Sequence, residues 1–63
     1  MLNILIVEDD PMVAQINRQF IEKVDPEALV DFAQNVTEAM EIIQSKTIDL
    51  LLLDIYICQK KMD

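Results

Sequence analysis

Two stretches of this chain, residues 2–7 (LNILIV) and residues 48–53 (IDLLLL), decide its fold, because each is an apolar run that stops at acidic residues. The acidic residues 8–10 (EDD) follow the first run, and Asp54 follows the second. Continuous apolar runs are typical of strands that are buried on both faces of a parallel sheet. Because the ligands of such sheets collect at the carboxyl ends of the strands, we expect these carboxylates to share one crevice. Their mutual repulsion favours the binding of a hard divalent cation there.

The segment after the first run predicts a helix with clear start and stop signals. After a strand over Asn3–Val7, Asp10 suits the N-cap of a helix. Pro11 suits the first helical position, because the N–H that proline lacks would have no partner there. Asp25 ends the helix, since a residue before proline (Pro26) is pushed out of the helical region. The apolar face predicted from the helical spacing consists of Val13, Ile16, Phe20, Ile21 and Val24.

The next segment predicts a short strand and a second helix. Apolar and polar side chains alternate over residues 28–33, as in a half-exposed edge strand. Asn35 or Thr37 is expected to cap the second helix, and residues 48–53 form the third strand. The order is therefore β-α-β-α-β, and right-handed crossovers make the three strands parallel. The buried stripe predicted for the second helix is Val36, Ala39, Met40 and Ile43.

Length and composition limit the chain to one small domain. Its 63 residues are close to the smallest number that fold alone. The apolar runs are too short to cross a bilayer, the N-terminus lacks the basic start of a signal peptide, and Cys58 has no partner for an intramolecular disulfide. We therefore expect a cytoplasmic protein. A net charge of −7 with only five Lys and Arg argues against direct nucleic-acid binding, and favours basic partners, metal ions or simply solubility.

The sequence ILIVEDDP (residues 4–11), joined to LLLLDIY (residues 50–56) after a second β-α unit, resembles the receiver domain of two-component response regulators. The resemblance is closest to regulators of the citrate and C4-dicarboxylate sensing type. It implies an α/β fold, the β-α-β-α-β portion of a flavodoxin-like, doubly wound parallel sheet with strand order 2-1-3. Residues 1–63 would then be a partial receiver domain, roughly its first half, truncated after strand three and without an output domain.

The resemblance also implies a role for each residue of the acidic site. Asp54 is the expected phosphoacceptor, which receives a phosphoryl group from a sensor histidine kinase. Glu8 and Asp9 are expected to hold Mg²⁺, Asp9 directly and Glu8 through water, and the backbone carbonyl of Tyr56 adds another metal oxygen. In the full-length family members, this reaction transduces a signal that controls transcription. Simpler interpretations remain open. Glu8 and Asp9 are also typical of a solvated strand end, and Asp54 is also typical of a turn. Asp10 is also typical of a helix N-cap.

The chain also departs from the family pattern. The residues after Tyr56 (ICQKKMD) lack the family's proline and glycine, and the Ser or Thr and the Lys of later strands are missing. We therefore expect phosphorylation to be weak or absent. The alternative to a phosphoacceptor is a fragment that binds a kinase without being phosphorylated, or a non-functional remnant of a receiver domain. A phosphatase-like hydrolase is disfavoured because Tyr56 stands where such enzymes need a second carboxylate, so the chain is not expected to be an enzyme beyond self-phosphorylation. An exposed strand-three edge is expected to favour self-association.

Overall fold

The computed structural model describes residues 1–53, and residues 54–63 lie outside this description. The described part forms three strands and two helices in the predicted order: β1 (Asn3–Val7), α1 (Pro11–Val24), β2 (Leu29–Ala33), α2 (Val36–Ser45) and β3 (Leu50–Leu53). The strands form one parallel sheet with the order β2-β1-β3. The predicted α/β fold class and strand order are confirmed.

Strand β1 is the centre of the sheet and of the core. Ile4 is 3% exposed, and Leu5, Ile6 and Val7 are fully buried. On the side of α2, Leu5 and Val7 form a cluster with Ala33 and with Ala39 of α2. A run of four apolar residues suits this position because neighbouring strands and helices cover both of its faces.

Helix α1 begins and ends where its local signals predict. Asp10 is the N-cap, and its side-chain Oδ1 accepts a hydrogen bond from the backbone N–H of Met12 at 3.0 Å. Pro11 occupies the first helical position. Asp25 is the C-cap, and its N–H donates to the carbonyl of Ile21 at 2.8 Å.

Helix α2 is capped by Asn35, which selects one of the two predicted candidates. The side-chain Oδ1 of Asn35 accepts from the N–H of Glu38 at 2.8 Å. The carboxylate of Glu38 in turn accepts from the N–H of Gln34 at 2.8 Å. Two backbone donors that would otherwise lack a partner are thus satisfied at the start of the helix.

The predicted buried stripe of α2 is wrong for three of its four residues. Ala39 is 6% exposed and Ile42 packs against the core, whereas Val36, Met40 and Ile43 are 56%, 52% and 44% exposed. The apolar arc of α2 is wider than the surface that β1 and β2 offer to it. The helix therefore places its smallest apolar side chain against the sheet, which permits a close approach.

Helix α1 shows the same departure from the prediction. Ala14 is its one buried residue at 6% exposure. Ile16, Phe20 and Val24 are 58%, 68% and 73% exposed. Their helical spacing is correct, but the described part of the chain does not cover them.

Strand β3 is shorter than predicted, and among the described residues it is the exposed edge that was expected. It begins at Leu50, and Leu50, Leu51 and Leu53 are 52%, 46% and 56% exposed. The prediction of burial on both faces is therefore right for β1 and wrong for β3. Among the described residues β3 pairs with β1 alone, so it is an edge of this sheet, as is β2 on the other side. The predicted second strand also begins one residue later, at Leu29.

Asp49 holds the start of β3 to the start of β1. The backbone N–H of Asn3 donates to Asp49 Oδ2 at 2.8 Å, and the N–H of Asp49 donates to the carbonyl of Asn3 at 2.8 Å. These bonds lie at the opposite end of the sheet from the acidic residues 8–10. Neither helix within residues 1–53 is long and apolar enough to span a membrane.

Candidate functional site

The acidic residues that follow β1 lie in different environments. Glu8 is 7% exposed, whereas Asp9 and Asp10 are exposed. The backbone N–H of Glu8 donates to the carbonyl of Ala33 at 2.9 Å, which extends the pairing of β1 with β2 by one residue. Glu8 is therefore held by the sheet itself, and Asp9 is the first residue to leave it.

Burial of the Glu8 carboxylate is offset by hydrogen bonding. Its Oε2 accepts from the backbone N–H of Asp10 at 3.1 Å. A buried carboxylate is costly unless hydrogen bonds or opposite charges compensate for the lost water. The bond to Asp10 also shapes the turn that carries Asp9, so the two acidic residues expected to hold a metal are positioned by one local structure.

Asp10 is the N-cap of α1. One of its carboxylate oxygens accepts from Met12, as described above, and its carbonyl accepts from the N–H of Ala14 at 3.0 Å. The interpretation of Asp10 as a helix cap is therefore confirmed.

The register of the sheet brings the end of β3 to the end of β1. Leu53, the last residue of β3, is the pairing partner of Val7, which directly precedes Glu8. Asp54 and Tyr56, the other two predicted site residues, lie outside the described residues. Within residues 1–53, no group of three or more acidic, His or Cys side chains comes together to hold a metal ion. The predicted metal site of Glu8, Asp9, Asp54 and Tyr56 thus stays a prediction.

A cleft beside Glu8 was not predicted from the sequence. It has a volume of about 750 Å³ and lies between the start of α1 and the end of β2. Its lining combines acidic, amide and apolar side chains: Glu8, Asp10, Pro11, Met12, Ala14, Gln15, Phe32 and Gln34. No sequence pattern marks this cleft, because its walls come from two segments whose separation is set by how α1 lies on the sheet.

The fold, the acidic strand end and the sequence all point to one class of protein. The family described as the response regulator receiver domain matches residues 4–62. The chain therefore belongs to the response regulator receiver domain family. The resemblance derived above from the residues is confirmed.

Individual relatives are named as transcriptional regulatory proteins or as a probable C4-dicarboxylate response regulator. The chain is 45% identical over 56 residues to the transcriptional regulatory protein MalR of Bacillus subtilis (strain 168), a match that covers 89% of this chain and 24% of MalR. It is 42% identical over 53 residues to the probable C4-dicarboxylate response regulator DctR of Priestia megaterium, covering 84% of this chain and 23% of DctR. It is 41% identical over 58 residues to the transcriptional regulatory protein DcuR of Escherichia coli (strain K12), covering 89% of this chain and 24% of DcuR.

The chain thus spans about a quarter of the length of these curated relatives. No solved structure gives a significant match to it.

Proposed function

We propose that residues 1–63 form a partial receiver domain that accepts a phosphoryl group on Asp54 from a sensor histidine kinase in the cytoplasm, with Mg²⁺ as the cofactor. The observation that carries this proposal is the position of Glu8. It is a buried carboxylate at the carboxyl end of the central strand, one residue beyond the pair formed by Val7 and Leu53. Asp54 follows Leu53 directly in the sequence, so the register supports a site shared by the ends of β1 and β3.

The donor chemistry of this strand end fits Mg²⁺. Glu8 and Asp9 offer carboxylate oxygens, the ligand type that Mg²⁺ prefers, and the exposure of Asp9 leaves room for the waters that the ion retains. We propose that these two residues hold the ion together with Asp54 and the carbonyl of Tyr56. When bound, Mg²⁺ would neutralise negative charge on the phosphoryl oxygens.

The residues of the chain have separate tasks in the proposed reaction. A carboxylate oxygen of Asp54 attacks the phosphorus of the phosphohistidine, the bond from phosphorus to the imidazole nitrogen breaks, and an aspartyl phosphate forms. Glu8, held in the sheet and hydrogen-bonded to the N–H of Asp10, would supply a carboxylate at a fixed position at the carboxyl end of β1. Catalysis of this kind depends chiefly on positioning and on electrostatic compensation, which a rigid strand end supplies.

Intact mass measurement after incubation with acetyl phosphate and Mg²⁺ tests the proposal. We expect a weak, Mg²⁺-dependent gain of one phosphoryl group, on a minority of the molecules, that is lost in Asp54→Asn. Asp49→Asn is a matched control, because Asp49 lies at the opposite end of β3 and asparagine can still accept the hydrogen bond from Asn3. The absence of any gain in a sample that is folded by circular dichroism would refute phosphoacceptance by this chain.

A second candidate function is kinase binding without phosphorylation, and one observation favours it. Helix α1 carries four exposed apolar side chains at a spacing of four residues, which we call the α1 stripe: Met12 (72% exposed), Ile16 (58%), Phe20 (68%) and Val24 (73%). The resemblance to receivers makes this helix the expected kinase-facing element. A stripe with i, i+4 spacing is also the pattern by which helices pack against partner helices.

Capture of a sensor kinase by the purified chain separates the two candidates. Binding that survives Asp54→Ala and is lost in Phe20→Asp, with no detectable phosphotransfer, would select the binding function. Gln44→Asp on α2, which also adds one negative charge at an exposed position, is the control for a change of charge alone. Failure of the wild-type chain to bind any sensor kinase or to gain a phosphoryl group would leave the remnant interpretation.

A further inference from the structure

The two edges of the described sheet differ in character. At the β2 edge, Asp31 forms an ion pair with Lys46 at 3.0 Å. The residues of β3, Leu50–Leu53, are all leucine, and three of them are 46–56% exposed. Charged side chains protect an edge strand from pairing with another chain, and β3 carries none. Within residues 1–53 the outer backbone groups of β3 pair with no strand, so this edge is open to a further strand.

The α1 stripe lies on the flank of α1 that is nearer to β3. On the other flank, Gln15 lines the cleft together with Phe32 of β2. In a helix with 3.6 residues per turn, Phe20 and Val24 project about 140° and about 180° away from Gln15. They therefore lie on the side of the helix that is away from β2 and toward β3.

Two of the β3 leucines face the same side of the sheet as α1. Leu5 belongs to the cluster with Ala39 of α2, and its pairing partner on β3 is Leu51. Because successive side chains of a strand alternate between faces, Leu50 and Leu52 lie on the opposite face, which carries α1. The open edge of β3 and the α1 stripe thus form one continuous apolar surface.

The charges that border this surface are complementary between two antiparallel copies of α1. A shallow depression of about 190 Å³ is lined by Ile16, Gln19, Phe20 and Lys23, so Lys23 lies beside the stripe near the end of the helix. In the described part of the chain Lys23 takes part in no ion pair. The start of the helix carries the exposed carboxylate of Asp10. When two α1 helices lie antiparallel, Lys23 of each copy is level with Asp10 of the other.

We propose that this surface binds a second copy of the chain, with the two β3 edges paired antiparallel about a twofold axis perpendicular to the sheet. This symmetry keeps both α1 helices on one face of the joined sheet and makes them antiparallel. Parallel pairing about a twofold axis would put the two helices on opposite faces and leave both stripes uncovered. The four residues of β3 are far fewer than the about 20–30 per side of a stable interface, so burial of the stripes favours the antiparallel arrangement.

The spacing of the joined sheet fits this arrangement. Helix α1 packs on β1, and β3 is the neighbour of β1. Neighbouring strands are about 4.8 Å apart, so the β1 strands of the two copies, and the helices above them, are about 14 Å apart. A helix with its side chains is about 10–12 Å across, which leaves a narrow gap between the two. Large side chains such as Phe20 fill this gap, and the long side chain of Lys23 spans it.

Sedimentation equilibrium from about 10 μM to about 1 mM, a range that detects weak association, tests the interface. We expect a monomer–dimer equilibrium that Leu53→Lys abolishes. Leu29→Lys is the matched control, because it is the same substitution at a similar exposure (53% against 56%) on the β2 edge, and it is expected to leave the dimer intact. Phe20→Gln is expected to weaken the dimer at least fivefold, whereas Phe32→Gln on β2 is not. Circular dichroism checks that each variant is folded.

Carbodiimide cross-linking of a mixture of ¹⁴N- and ¹⁵N-labelled chains tests the orientation of the helices. We expect an amide bond between Lys23 and Asp10 in peptides that combine the two isotopes. Within one copy these residues lie at opposite ends of a helix of 14 residues, about 20 Å long, so they cannot be joined. Lys23→Gln is expected to remove the cross-link and to weaken the dimer about two- to tenfold, and Lys46→Gln is the matched control.

Three results would overturn the proposal. They are a folded monomer at every concentration, equal effects of Leu53→Lys and Leu29→Lys, and a dimer without the cross-link between copies. A monomer would leave the surface to a different protein. The measurements use neither a phosphodonor nor a metal ion, so they are independent of whether the chain accepts a phosphoryl group.

Discussion

Replacement of Leu5 by alanine is expected to remove a large part of the stability of this domain. Leu5 is fully buried in the central strand and packs in the cluster with Val7, Ala33 and Ala39. Truncation of a buried leucine costs about 2–5 kcal/mol, since the lost burial adds to the cost of the cavity left behind. A domain of 63 residues has a free energy of unfolding of about 3–9 kcal/mol in total. The variant is therefore expected to be marginally folded or unfolded at room temperature.

The matched control is Leu51→Ala. Leu51 is the pairing partner of Leu5 on β3, it is the same residue type, and it is 46% exposed. Full burial of a leucine stabilises a protein by about 1.5–3 kcal/mol, so about half of that, near 1 kcal/mol, is expected to be lost here. The two substitutions thus differ in burial and not in chemistry.

Urea denaturation followed by circular dichroism at 222 nm measures both changes. With a dependence on urea of about 1 kcal/mol/M for so small a domain, Leu5→Ala is expected to lower the midpoint by about 2 M or more, and Leu51→Ala by about 1 M. Equal shifts for the two variants would refute the reasoning, because they would mean that β1 is no more central to the core than β3.

Three further predictions concern a helix cap, a surface ion pair and the sheet edge. Asn35→Ala is expected to lower the free energy of unfolding by about 0.5–2 kcal/mol, because the N–H of Glu38 loses its acceptor, whereas Asn35→Asp restores stability; urea denaturation checks both. Lys46→Met removes the exposed ion pair in which Lys46 Nζ lies 3.0 Å from Asp31 Oδ2. The free energy of unfolding, measured by urea denaturation, is expected to fall by less than about 1 kcal/mol, and a larger fall would contradict this prediction. We propose that the chain self-associates through β3, so sedimentation velocity is expected to show concentration-dependent association that Leu53→Lys abolishes; a monomer with a sharp unfolding transition in dilute solution would contradict this.

The elements that were predicted correctly have signals confined to a few neighbouring residues. Pro11 after Asp10, and Asp25 before Pro26, mark the two ends of α1 without any knowledge of the rest of the chain. Strand β1 was predictable because continuous apolar runs are typical of strands covered on both faces, although the same pattern in β3 belongs to an exposed edge of the described sheet. The parallel direction of the strands followed from right-handed crossovers, whereas their order was implied by the resemblance to receiver domains.

The candidate site was predicted only in part. The sequence placed Glu8 and Asp9 at the end of β1, but the burial of Glu8 depends on the pairing of its N–H with Ala33, which is 25 residues away along the chain. The cleft beside it depends on the distance between α1 and β2. Such distances arise from packing between remote segments, and no local pattern of residues specifies them.

By itself, the sequence determined the number, order and type of the helices and strands, because propensity, capping and turn chemistry act over a few residues. It also determined that acidic residues lie at the carboxyl end of the central strand. The tertiary structure alone decided which side of each helix meets the sheet. Ala14 and Ala39 are buried there, while the larger Phe20 and Met40 remain exposed. Helical spacing defines an apolar arc, but the rotation of that arc on the sheet is set by the surface that neighbouring strands provide. In the described part of this chain that surface is narrow, so small residues obtain the closest contact.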